Sequence, residues 1–78
     1  MSEVRPIHEI GAGIRDNWER PYFGALPYID AMGALNKVTD NYGGDSGRSI
    51  VAYFLANAGT WRGEVARRVK AELKGMIK

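Results

Sequence analysis

The residues best equipped for chemistry in this 78-residue chain cluster at Asn41-Tyr42-Gly43-Gly44-Asp45-Ser46-Gly47-Arg48, directly ahead of the apolar run Ser49-Ile50-Val51-Ala52-Tyr53-Phe54-Leu55. Three glycines, two hydroxyls and an arginine stand there at the mouth of a predicted helix. Backbone N–H groups at such a mouth point outward, and the helix dipole favours an anion. That is binding chemistry, not bond-making chemistry. The loop could cradle a phosphate with its N–H groups, Ser46 and Arg48, while Tyr42 or Tyr53 stacks on a base. Glycines ahead of a helix also make ordinary turns, and both readings stand on sequence alone. The loop lacks the lysine and spacing of a P-loop, and no strand precedes it, so a nucleoside triphosphatase is not expected.

Two further constellations lie downstream. Residues 53–68 read as helix, glycine-containing turn, basic helix. Gly59 followed six positions later by Val65 obeys helix-turn-helix spacing, whereas Leu55 and Gly63 depart from that pattern. A plain helical hairpin with a glycine stop gives the same signal. The second constellation is Trp61-Arg62-Gly63-Glu64 with Arg67 and Arg68, the composition of a protein–protein hot spot, although for Trp61 itself packing in the core against Phe54 or Trp18 is the readier role, which leaves Arg62, Arg67 and Arg68 to bind. Catalysis has thin support. Ser46, Asp45 and His8 can be assembled on paper into nucleophile, orienter and base, as can such a set in any small protein, and no catalytic residues are assigned. One histidine and no cysteine leave no disulfide framework and no expected metal site or cofactor.

Four helices are predicted to position these groups, over about residues 6–18, 27–37, 46–58 and 61–77, and no segment reads as a strand. Ile7, Ile10, Ile14 and Trp18 recur at helical spacing behind Pro6. Gly11 and Gly13 weaken that helix, or let another backbone approach. Arg20-Pro21 ends it, because the residue before a proline is pushed out of the helical region. Leu26, Ile29, Ala31, Met32 and Leu35 form the apolar face of the second helix. Asp45 or Ser46 is the natural N-cap of the third, which is apolar almost all round and is therefore placed at the buried centre or in a subunit interface. Gly59 is read as its stop. Thr60 is read as the cap of the fourth helix, where Trp61, Val65, Val69, Leu73 and Ile77 make a stripe. The expected fold is all-α: a compact four-helix single domain, residues 1–78, with an apolar central third helix.

The net charge of +2 conceals two unlike parts. From Thr60 onward six basic residues, Arg62, Arg67, Arg68, Lys70, Lys74 and Lys78, face only Glu64 and Glu72, a net +4. The first 59 residues hold seven acids against five bases, a net −2. Such polarity suits an acidic partner at the last helix or head-to-tail self-association; a solvated helix face explains it as well. A chain this short buries only about 60–65% of its unfolded surface, so a homo-oligomer is expected. No apolar run approaches the roughly 20 residues of a membrane span, and Met1 to Pro6 lacks the order of a signal peptide. The expectation is therefore a soluble, cytoplasmic protein with no membrane partner.

The strings Tyr22-Phe23-Gly24-Ala25-Leu26-Pro27-Tyr28, Ala31-Met32, Tyr42-Gly43-Gly44-Asp45-Ser46-Gly47-Arg48-Ser49-Ile50-Val51, Tyr53-Phe54-Leu55-Ala56-Asn57-Ala58 and Thr60-Trp61-Arg62-Gly63-Glu64 together resemble a family of small uncharacterised proteins carried by bacteriophages, prophages and plasmids. The resemblance covers nearly the whole chain after about Ile7. It implies a bacterial host cytoplasm as context, and a chain that blocks a host function. The resulting expectation is a non-enzymatic, phage-type binding protein that antagonises a host function, foremost a defence system, by holding a host macromolecule. Its expected contact set is Tyr42, Asp45, Ser46, Arg48, Trp61, Arg62, Glu64, Arg67 and Arg68. The alternatives are an oligomeric sponge for a cyclic or linear nucleotide signal, and a small DNA-binding regulator.

Overall fold

The computed structural model describes residues 5–78; Met1–Val4, and with them most of the signal-peptide reading, lie outside the described residues. Helix α1, Ile7–Asn17, buries Ile7, Ile10 and Ile14 on one face. Its first two N–H groups are satisfied from outside the helix: Ile7 donates to the Asn36 carbonyl (3.0 Å) and His8 to that of Leu35 (2.8 Å). Gly11 faces the next helix closely, since a Cβ there would lie 3.4 Å from that of Met32.

After Trp18 the chain turns, and a 3-10 turn at Phe23–Ala25 runs straight into α2, Leu26–Met32, with proline in its first turn. Helix α2 is shorter than expected. From Gly33 the backbone tightens, Ala34 donating to Ala31 and Leu35 to Met32, so that Leu35 still turns inward while its carbonyl and that of Asn36 face the start of α1. A helix continued to Lys37 would carry those acceptors elsewhere. The Asp40 carboxylate then closes the loop by accepting from the N–H groups of Asn36 (3.0 Å) and Lys37 (3.1 Å).

The glycine loop is a hairpin, which the sequence pattern did not announce. Strands β1, Asn41–Tyr42, and β2, Asp45–Ser46, pair antiparallel, with Asn41 opposite Ser46 and Tyr42 opposite Asp45. Gly43, the first of the two turn residues, has φ +64°, the conformation that short hairpin turns demand and that glycine supplies without strain. The strands are two residues each, too short for period-2 alternation to register. Among the described residues the architecture is thus four α-helices plus one small antiparallel hairpin, mostly but not purely helical.

Helix α3, Gly47–Ala56, is capped by Ser46, whose Oγ accepts from the Ser49 N–H at 3.1 Å. It buries Gly47, Ile50, Val51 and Phe54 and lies between α2 and α4. Its other side, with Ala52, Tyr53 and Ala56, faces solvent, so it is not enclosed all round; a domain of this size has too few elements to cover a helix on every face. It ends at Ala56 with Asn57 as C-cap, ahead of Gly59. Helix α4, Glu64–Met76, buries Ala66, Val69 and Leu73. Its cap is Gly63, at φ +111°, and not Thr60. The start is delayed because Trp61 turns into the core. There it stacks on Trp18 (5.5 Å, 13°) and meets Phe54 edge-on at 6.5 Å.

Candidate functional site

Among the described residues the interior holds no polar or charged side chain, and no three potential metal-ligating residues come together. No helix among the described residues is long and apolar enough to cross a membrane. Whatever chemistry these residues perform is performed on the surface. His8 is exposed at the start of α1, while Ser46 is engaged by the Ser49 N–H and by the Ser49 hydroxyl at 3.2 Å. No hydrogen bond joins His8 to Asp45 or Ser46 among the described residues.

The expected contact set divides. Tyr42, Asp45, Ser46 and Arg48 sit around the hairpin and the entrance of α3. The first three N–H groups of that helix are already used: Gly47 donates to Asp40 (2.6 Å), Arg48 to Val38 (3.0 Å) and Ser49 to the Ser46 side chain. An incoming anion would find those donors occupied. Arg48 is committed as well, its guanidinium donating to the Ile77 carbonyl at the C-terminus of α4, where a cation meets unpaired carbonyls and the negative end of the dipole. Tyr42 and Asp45 remain exposed.

Arg62, Glu64 and Arg67 gather at the other end of α4, about 18 Å away along the helix by its rise per residue. The glycine loop and this cluster therefore do not share a pocket. Trp61, expected as a contact, is buried and unavailable to a partner; sequence spacing alone could not separate a core tryptophan from a surface one. Arg68 is exposed on a neighbouring side, beside the Arg5–Glu72 pair. The stretch from Asn57 to Gly63 that joins α3 to α4 has seven residues, against the three or four of a helix-turn-helix turn, and the spacing from Gly59 to Val65 has no such geometry behind it.

What assembles at the entrance of α4 is a basic groove of about 340 Å³, lined by Arg62, Gly63, Glu64, Arg67 and Lys70 among others. Three features build it. The Gly63 cap offers no side chain to the helix entrance, so the first N–H groups of α4 are not covered by a cap. Lys70 crosses back to donate to the Trp61 carbonyl at 2.6 Å, which ties the groove floor to the aromatic core. Arg67 and Lys70 follow three residues apart on one face of the helix, and both line the groove.

Charge in this groove is only partly balanced. The ion pairs among the described residues are Arg5 with Glu9 and Glu72, and Arg15 with Asp30, none of which draws on these cations. Lys70 responds accordingly. Burial lowers its pKa from the ordinary 10.5, and the neighbouring charges of Lys74 and Arg62 lower it further. Such a cluster is relieved by an anion that supplies the missing negative charge. Lys70 belongs to the groove although the hot-spot pattern passed over it; its three-residue step from Arg67 was the available signal.

The chain matches no protein-family model, no curated protein and no solved structure.

A second surface feature was also missed. Phe23 is 76% exposed, with Tyr22, Tyr53 and Leu26 between 40% and 48%. The connector ahead of α2 carries aromatic residues that sequence reading treated only as a link.

Proposed function

We propose that this chain is a non-enzymatic binding protein that antagonises a bacterial host function, foremost a defence system, by holding an acidic surface of a host macromolecule in the groove at the start of α4. The observation that carries the binding half is the group of Arg62, Arg67 and Lys70 around one concavity, where burial and, after it, the charges of Lys74 and Arg62 weigh against the protonated form of Lys70. The resemblance to phage-borne small proteins carries the host-antagonist half. An exposed arginine group of this kind gives orientation and a fast association rate, with affinity completed by neighbouring contacts. Glu64 at the rim selects against indiscriminate polyanions by opposing any phosphate brought close to it.

The test is capture from bacterial host lysate with the full chain as bait. A stoichiometric partner should be retained at low salt and released as salt rises, because exposed charge pairs are screened. The Arg62→Ala/Arg67→Ala variant should lose it while keeping the wild-type melting temperature. Recovery of no partner, or undiminished capture by that variant, would count against the proposal.

A further inference from the structure

Beyond the basic groove, and independent of it, the opposite chemistry is gathered on another face. Phe23 projects from the 3-10 turn and Leu26 opens α2 three residues later. The Tyr22 ring folds back over Gly24, 2.6 Å from where a Cβ would stand, and the Asn57 side chain lies 3.0 Å from the same point. Asn57 in turn donates from Nδ2 to the Tyr53 carbonyl at 2.9 Å, and the Tyr53 ring lies 5.5 Å from that of Tyr28. These contacts bring the connector, the start of α2 and the outer side of α3 together on one face, where the exposed residues Tyr22, Phe23, Leu26 and Tyr53 carry no formal charge.

We infer that two copies of this chain pair through that patch, about a two-fold axis. Area is the first argument. At their exposures, Phe23, Tyr22, Tyr53 and Leu26 present roughly 400 Å² together, the scale of the largest patch on a typical monomer. A specific interface needs about 600–800 Å² from each partner, so these groups supply its centre and the surrounding rim completes it. Charge is the second. A two-fold interface sets a surface against itself, so a patch with one sign of charge repels its own copy, whereas a neutral aromatic one is self-complementary. A face without charge also has little with which to select an acidic or basic partner. Size is the third: a 78-residue chain leaves much of its surface unburied, and pairing covers part of it.

The deciding experiment is sedimentation equilibrium of the full chain from low to high micromolar concentration. The mass should rise from the monomer's 8.6 kDa towards twice that value. Phe23→Glu and, as a second variant, Tyr53→Lys should each weaken pairing at least about 30-fold, as expected for a central aromatic anchor. Both side chains are largely exposed, so the circular dichroism and melting temperature of the diluted, monomeric protein should stay as in the wild type. A wild-type chain that remains at 8.6 kDa throughout overturns the inference. So does a dimer indifferent to both substitutions. A monomer whose capture of a host protein depends on Phe23 would assign the face to a foreign partner and overturn it equally.

Discussion

A Cβ on Gly47 would stand 2.7 Å from the Lys37 carbonyl oxygen and 3.0 Å from the Val38 Cα. Both are backbone atoms that cannot swing aside. Gly47→Ala should therefore cost about 1–3 kcal/mol, the usual range for overpacking, read as a shift of the urea midpoint. Gly13, with open space where its Cβ would be, is the contrast: Gly13→Ala should stabilise the fold by up to about 1 kcal/mol through helix propensity. Asp40 governs the same junction. Its carboxylate, holding the N–H groups of Lys37 and Asn36, has a pKa below the ordinary 3.8. A carboxylate with a depressed native pKa contributes stability above its ordinary value, and that contribution is lost as pH falls through the native one. Between mildly acidic and strongly acidic pH the wild type should therefore lose stability more steeply than Asp40→Asn, which keeps an acceptor but does not titrate. Parallel curves would refute this.

At the level of elements, the two helix entrances of the second half are built in opposite ways. Helix α3 is closed by Ser46 and by backbone carbonyls, whereas α4 begins at a glycine in the left-handed region with no side chain in the cap position. The consequences should separate in stability measurements. Ser46→Ala should cost about 1 kcal/mol as a lost N-cap. Gly63→Ala should cost about 1–3 kcal/mol through backbone strain at φ +111°. A Gly63→Ala variant as stable as wild type would show that the entrance adopts another conformation. One helix mouth is thus filled by the protein itself, while the other has no side-chain cap and opens beside Arg62, Arg67 and Lys70.

For the whole molecule, charge and apolar surface are segregated. Arg62, Arg67 and Lys70 line the groove at the start of α4, Arg48 closes the other end of that helix, and the exposed aromatics lie on the connector with the outer side of α3. A partner held by the groove should respond to salt and to Arg62 and Arg67, and a second copy held by the aromatic face should respond to Phe23 and Tyr53. Sedimentation of the Arg62→Ala/Arg67→Ala variant separates the two: its pairing should equal that of wild type, within the error of the measured mass. Were pairing and partner capture to fail together in every variant, the two faces would have to be one coupled surface.

Local pattern was enough for the helical character of this chain, the amphipathic faces of α1 and α4, the Ser46 cap and the accumulation of cations near the end, because each follows from residue type and spacing within a few turns. Contacts between distant segments decided the rest. The end of α2 depends on what the start of α1 requires from Leu35 and Asn36. The hairpin has strands too short to carry a periodic signal. The delayed start of α4 follows from Trp61 entering the aromatic cluster with Trp18 and Phe54, residues brought from elsewhere in the chain. The fate of the glycine loop is of the same kind: its spacing announces outward N–H donors, and only the folded chain brings the carbonyls of Val38 and Asp40 up to occupy them. Spacing declares which groups are capable of binding, and tertiary packing decides which of them are still free to do so.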